Sequence, residues 1–325
     1  MPEASREVVL VTGASGFLGR HVARRFAAGG AWVVGLGHGP FEGGSPADWG
    51  LSDWRPGDVT RAALEAVTPR PDIIAHCAGG SLVGRSFEDP RGDFERTVAT
   101  TADLLDYMRL AAPGARLVYP SSAAVYGDAK VLPIPTSATS RPLSPYGTHK
   151  RAAEELCRSY ALHFGVRSAI LRFFSIYGRH LRKQLLWDAC NRLQAGDGAF
   201  SGSGRELRDW LHVDDAAALV VAAAGFASVE CPIANGGTGI GTPVGGILER
   251  LGAALAPEIP IRFTGAHRPG DPSAFIADIA DLSRWNWRPR VDWRDGVDDY
   301  AAWYLEITAR EPRRARAASA ALPRG

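Results

Sequence analysis

Tyr146 and Lys150 stand four residues apart in Ser144-Pro145-Tyr146-Gly147-Thr148-His149-Lys150. Proline suits the first turn of a helix, where its missing N–H costs nothing, and the serine before it suits the N-cap. The residues from Arg151 to Leu162 are good helix formers. On a helix the phenol and the ammonium therefore share a face. A positive charge stabilises a phenolate, and a tyrosine that ordinarily titrates near ~10 needs such help to exchange protons close to neutrality. The pair is read as general acid–base machinery. Because the same spacing arises on ordinary helix surfaces, the reading depends on the elements that position it.

Those elements start at Val8-Val9-Leu10-Val11, which has the β-branched character of a buried parallel strand. It runs into Thr12-Gly13-Ala14-Ser15-Gly16-Phe17-Leu18-Gly19, and a helical segment from Arg20 to Ala28 ends at Gly29-Gly30. Strand, glycine turn and helix form the context of a dinucleotide-binding turn, in which backbone approaches a pyrophosphate at a helix N-terminus. Gly13, Ser15, Gly16, Phe17, Leu18 and Gly19 are expected to hold the cofactor there. The next strand, Trp32 to Leu36, leads to Gly37-His38, where an acid would hold a ribose 2′-hydroxyl. His38 is expected beside that ribose. Gly57 to Thr60 reads as the end of a further strand, with Asp58 and Val59 at the adenine edge.

Asp72 to Cys77 is a fourth apolar strand, and Cys77, Ala78 and Gly79 are small enough for backbone to approach the cofactor. A helix is expected over Asp93 to Arg109. The strand from Arg116 to Tyr119 ends at Ser121-Ser122, on the carboxyl side of the sheet where ligands of open α/β folds sit. Arg167 to Ser175 is another strand. The predicted fold class is α/β, a Rossmann-type doubly wound parallel sheet with a smaller C-terminal substrate-binding lobe. Residues 1–175 form the NAD(P)-binding domain, with 206–240 returning to it, and 176–205 and 241–309 form the lobe. The later tryptophans, Trp285, Trp287, Trp293 and Trp303, read as packing residues. Residues 310–325, rich in arginine and alanine, read as a disordered tail.

The 325 residues carry a net charge of only +2, which gives no global field for nucleic acid or an acidic membrane. No apolar run is long enough to span a membrane. Cys77, Cys157, Cys190 and Cys231 form no Cys-x-x-Cys pair and read as reduced thiols of a cytoplasmic protein. The histidines lack ligand spacing, so no metal site is expected.

Taken in order and spacing, Thr12-Gly-x-x-Gly-x-x-Gly19, Ser121-Ser122-Ala-Ala-Val-Tyr-Gly127 and Tyr146-x-x-x-Lys150 resemble the extended short-chain dehydrogenase/reductases. The likeness is greatest to their nucleotide-sugar branch, around the UDP-galactose 4-epimerases, and runs from about Val8 to Trp303. Arg208-Asp-Trp-Leu-His-Val-Asp, Asn235-Gly-Gly-Thr-Gly and Arg268-Pro-Gly-Asp271 support it. The resemblance implies a catalytic triad of Ser122, Tyr146 and Lys150, with Tyr146 moving the proton, Lys150 lowering its pKa and holding the nicotinamide ribose, and Ser122 on the reacting sugar oxygen. It implies an NAD or NADP cofactor and a nucleotide-diphosphate sugar substrate. Arg208 and Arg268 would meet the diphosphate, whose oxygens suit a guanidinium fork, and Asp271 the nucleotide ribose. It also implies a homodimer through helices at roughly 93–109 and 146–164, with Leu104, Leu105, Ala152, Ala153 and Leu156 as apolar surface.

Four positions depart from the branch. Gly37 replaces the acid of NAD enzymes, Ser81 replaces a lysine, and Thr97 and Ser175 replace asparagines. Ser81 and Ser175 are retained as substrate residues. Related 4,6-dehydratases carry acids where this chain has Ala123 and Ala124, and alanine transfers no proton. Reductases that also epimerise carry a cysteine at position 124. Two reactions remain: 4-epimerisation, or reduction of a 4-keto-6-deoxy nucleotide sugar by NAD(P)H. A non-catalytic NAD(P)-binding sensor is a third reading, although such proteins typically lack the tyrosine.

Overall fold

The computed structural model describes residues 6–67, 70–266 and 272–320, with side chains through 309. Among the described residues, seven parallel strands form the main sheet: β1 (Val8–Thr12), β2 (Trp32–Gly37), β3 (Asp53–Pro56), β4 (Ile73–His76), β5 (Arg116–Ser122), β6 (Arg167–Phe173) and, from much later in the chain, Ile233–Gly236. The spatial order is β3-β2-β1-β4-β5-β6 with Ile233–Gly236 outside β6. Val9, Leu10, Val11, Val33, Val34 and Ile74 are wholly buried, as strands covered on both faces require. The order reverses between β1 and β4, so a crevice opens at the carboxyl ends of these two strands.

Helices α1 (Phe17–Ala28), α2 (Arg61–Glu65), α3 (Val83–Glu88), α4 (Pro90–Phe94), α5 (Thr100–Ala111) and α6 (Pro145–Phe164) connect the first strands. A π-turn over Glu95–Ala99 joins α4 to α5. The expected strand end at Gly57 to Thr60 lies beyond β3: the strand stops at Pro56, and Thr60 instead caps α2 by accepting from the Ala63 N–H at 3.2 Å. Leu104, Leu105 and Ala153 are also not surface residues. All three are completely buried, because α5 and α6 turn them onto their own sheet. The exposed apolar groups of these helices are Leu110, Leu162 and Phe164.

After β6 the chain builds a second layer. It starts with β7 (Ser175–Tyr177), α7 (Gln184–Gln194), β8 (Ala199–Phe200) and β9 (Leu207–His212); α8 (Val213–Ala224) and Ile233–Gly236, which is β10, return to the main sheet. β11 (Gly241–Pro243), α9 (Val244–Leu255), β12 (Arg262–Phe263), β13 (Ala274–Phe275) and α10 (Trp293–Ala320) follow. β9 pairs with β7, β11 and β13, and β8 pairs with β12. The Ala-rich α8 packs against α1 on the main sheet, whereas Tyr177, Leu186, Trp210, Ile247, Val297 and Trp303 share a separate core. Trp285 and Trp303 are buried as packing residues. α10 extends through most of the stretch read as a tail; 321–325 lie outside the described residues. No helix of the described residues is long and apolar enough to cross a membrane.

Candidate active site

The glycine turn is shaped by contacts that leave no room for side chains. Gly13 has φ +64, and a Cβ there would lie 2.7 Å from the Ala78 backbone nitrogen, so β1 and β4 nearly touch at their carboxyl ends. A Cβ at Gly19 would lie 2.2 Å from the Gly13 carbonyl oxygen. α1 begins at Gly16 with no side-chain cap and no acid in its first turn. Its leading N–H groups suit an anion, so the turn fits the pyrophosphate of a dinucleotide. Ser15 Oγ donates to the His38 carbonyl at 2.6 Å, closing the turn against the end of β2. His38 and Asp58 face each other in the open, 3.6 Å apart.

A cavity of about 1050 Å³ runs from this turn into the second layer. The cofactor residues expected from sequence line one end: Gly13, Ser15, Gly16, Phe17, Leu18 and Gly19 on the turn, His38, Asp58 and Val59 beyond β2 and β3, and Cys77, Ala78 and Gly79 after β4. Ser81, Ser122, Tyr146, Lys150, Ser175 and Arg208 line it further on. Arg268 and Asp271 lie outside the described residues.

Ser144 caps α6 by accepting from the Gly147 N–H at 3.1 Å, with Pro145 in the first turn. The Tyr146 N–H donates to Ser86 Oγ at 3.0 Å. A Cβ at Gly147 would lie 2.6 Å from the Ala124 carbonyl oxygen, so the helix start sits directly on the turn that follows Ser122. This contact brings strand and helix together and sets Ser122 where it acts to lower the pKa of the Tyr146 phenol. Lys150 is buried, donates to the Pro120 carbonyl at 3.0 Å, and lies 6.0 Å from the centre of the Tyr146 ring and 5.1 Å from that of Tyr119.

The electrostatics differ from the sequence expectation. Burial raises the Tyr146 pKa, Ser122 opposes it, and Asp93 adds to the rise. The expected depression by Lys150 is not seen. Its ammonium is directed at Pro120, and burial lowers its own pKa to about 8 despite nearby Cys77 and Asp93. Asp93 is itself buried and accepts from His149 Nδ1 at 2.7 Å. Burial raises the Cys77 thiol to about 12, which removes it as a nucleophile near neutrality.

Two residues behind the triad were not singled out from sequence. Glu154, one turn after Lys150, accepts from Ser121 Oγ at 2.5 Å and pairs with Arg172 on β6. Its signal was the same four-residue spacing that links Tyr146 to Lys150. Lys183, in the loop before α7, donates to Ser81 Oγ at 2.8 Å inside the cavity. Nothing in its local pattern distinguishes it from neighbouring arginines. Thr97 accepts from the Gly80 N–H at 2.9 Å, fixing the loop after β4. Asp209 accepts from the Thr238 and Gly239 N–H groups at 2.6 and 2.9 Å, and Asn235 Oδ1 from the Tyr126 hydroxyl at 2.6 Å. These two late motifs therefore tie the chain together. Arg208 Nη1 donates to the Leu207 carbonyl at 2.8 Å. No group of three or more potential metal ligands occurs among the described residues.

Residues 9–231 match the model of the NAD dependent epimerase/dehydratase family. The chain belongs to this family. A UDP-glucose 4-epimerase of Corynebacterium glutamicum is 31% identical, with 91% of this chain and 94% of that protein covered. UDP-glucose 4-epimerase 4 of Oryza sativa subsp. japonica is 30% identical, covering 91% and 89%. The crystal structure of UDP-glucose 4-epimerase from Brucella ovis in complex with NAD is 27% identical, superposes with a TM-score of 0.79 and covers 91% of this chain and 97% of its own. This epimerase/dehydratase family member is an NAD(P)-dependent enzyme, and its family match ends just before β10 completes the sheet.

Proposed function

We propose that the chain is a nucleotide-sugar 4-epimerase, which moves a hydride reversibly at sugar C4. The observation that carries this reading is the junction of Ser122, Tyr146 and Lys150 in one cavity with the glycine turn. The turn and the loop after β4 would hold the dinucleotide, and Lys150 its nicotinamide ribose. Bound there, the nicotinamide would accept a hydride and return it. Tyr146 takes the proton from the C4 hydroxyl and later gives it back. Ser122 holds the same oxygen through its hydroxyl, and Lys150 contributes a positive charge up to its pKa of about 8. Ala123 and Ala124 offer no acid for dehydration. Named relatives act on UDP-glucose, which makes a UDP-sugar the first substrate to try.

Gly37 keeps a second reading open, a 4-ketoreductase supplied with NAD(P)H. At the end of β2 there is no carboxylate to hold a 2′-hydroxyl or repel a 2′-phosphate. The cofactor retained on purification separates the two readings: tightly held NAD+ supports the epimerase, loosely held NADPH the reductase. A panel of UDP- and dTDP-sugars, including 4-keto-6-deoxy forms, completes the test. Turnover of none of them by cofactor-loaded protein would overturn both. Residues 1–175 with 206–240 would form the cofactor domain and the remainder the substrate lobe, in a cytoplasmic homodimer joined through α5 and α6. A monomer mass by light scattering at micromolar concentration would count against the dimer.

A further inference from the structure

Lys183 precedes α7, where the chain passes from the main sheet into the second layer. Its half-buried side chain lines the cavity, and its ammonium donates to Ser81 Oγ at 2.8 Å. An ammonium has three donors, and one neutral hydroxyl satisfies one of them. Neighbouring cations are paired with carboxylates: Arg179 with Asp299 and Glu306, Arg182 with Glu42, and Arg192 with Asp197. Among the described residues Lys183 has no such partner. The charge that acts on it is that of Arg20, of like sign, and burial and Arg20 together lower its pKa.

Of the acids that line this cavity, Asp58 faces His38 and Glu206 and Glu95 are engaged, while Asp188 on α7 is exposed and makes no ion pair with Lys183. Glu206 accepts from the Ser203 N–H at 2.8 Å, and Glu95 from Arg91 Nε at 2.7 Å. The next residue, Gln184, is held at φ +65, a left-handed conformation unfavourable for a side chain of its kind. Ser81 lies two residues beyond Gly79, where a Cβ would come 3.6 Å from Lys150 Nζ. Lys183 therefore approaches the cavity from the second layer at the Lys150 end, partly desolvated and without a counter-ion. An anionic ligand would complete it.

We propose that Lys183, steadied by Ser81, binds an anionic oxygen of the nucleotide sugar, either on its diphosphate or on a carboxylate carried by the hexose. This rests on the nucleotide-sugar reading above. It gives the chain a substrate contact from the second layer, at the loop that follows β4.

The test is titration calorimetry on full-length, cofactor-loaded protein with UDP, UDP-galactose and UDP-glucuronate. Lys183→Gln keeps length and polarity without charge, and Lys183→Arg restores charge. In Lys183→Gln, binding should weaken by at least ~10-fold, the scale of a lost charge-assisted contact. Equal weakening of all three ligands places the anion on the diphosphate; weakening of UDP-glucuronate alone places it on the sugar. Lys183→Arg should recover most of the affinity in either case. Affinities within about twofold of wild type for all three ligands in Lys183→Gln, or an arginine variant as weak as the glutamine variant, would overturn the assignment. Wild-type protein that binds none of the three overturns the nucleotide-sugar reading as well, so the two failures are distinct.

Discussion

Glu154 and Arg172 form a buried two-point ion pair, with Arg172 Nε 3.0 Å from Oε1 and Nη2 2.7 Å from Oε2. Glu154 is on α6 and Arg172 on β6, and Ser121 of β5 donates to the same carboxylate. Burial alone would lower the Arg172 pKa, but Glu154 outweighs it and the net shift is upward. The pair fixes the helix bearing Tyr146 and Lys150 against β6, and through Ser121 the same carboxylate ties it to the strand bearing Ser122.

Glu154→Ala leaves the Arg172 charge buried without its partner. The expected loss in unfolding free energy is about 3–5 kcal/mol, the scale for breaking a buried pair from one side. Urea unfolding measures it. Unfolding free energy within about 1 kcal/mol of wild type would show that the pair is dispensable, the behaviour of exposed pairs.

Tyr146→Phe removes the proton-carrying oxygen and keeps the ring. Turnover should fall by ~100-fold or more while ligand binding survives. Ser122→Ala removes the hydroxyl beside the phenol and should cost less, because it loses positioning and not the proton carrier. Steady-state kinetics with an accepted sugar nucleotide decides the order. Full turnover by Tyr146→Phe would rule out the mechanism.

Lys150 sets a pH dependence of stability. Its folded pKa of about 8 lies below the ordinary lysine value of 10.5. Below pH 8 both folded and unfolded chains hold the proton. Between about 8 and 10.5 the unfolded chain holds more, so this residue's contribution makes stability rise with pH. It levels off above 10.5 and is lost again as pH falls through 8. Lys150→Met should remove that rise from the difference between the two stability–pH curves of cofactor-free protein. Parallel curves for both proteins would mean that the lysine titrates normally.

Gly37→Asp should favour NAD over NADP. A Cβ at 37 would meet Gly13 Cα and Trp54 Cη2 at 3.4 Å, close but not blocked. The carboxylate would repel a 2′-phosphate and accept from a 2′-hydroxyl. The ratio of the two dissociation constants is the readout, and an unchanged ratio would mean that the ribose lies elsewhere.

The parts of the fold that were legible are those that repeat a local rule. The apolar runs at β1, β2 and β4 are buried on both faces, so composition alone reveals them. The cap and proline of α6 are equally local. What escaped depends on three dimensions. Leu104 and Ala153 look like any apolar helix residues, and only the orientation of their helices decides between core and surface. The Tyr146 pKa follows from burial and from where Lys150 sends its ammonium, neither of which spacing encodes. Lys183 meets Ser81 across 102 residues of chain, beyond the reach of any local pattern.

The place of β10 outside β6 bears on how the molecule is made. As the chain leaves the ribosome, the outer edge of β6 stays bare until β7, α7, β9 and α8 have all emerged. An unpaired strand edge is a template for pairing with other chains. A chain ending at Ser175 would keep the glycine turn and the triad yet lack both β10 and the α8 that packs on α1. The main sheet is thus completed at this edge by a segment synthesised after its other strands.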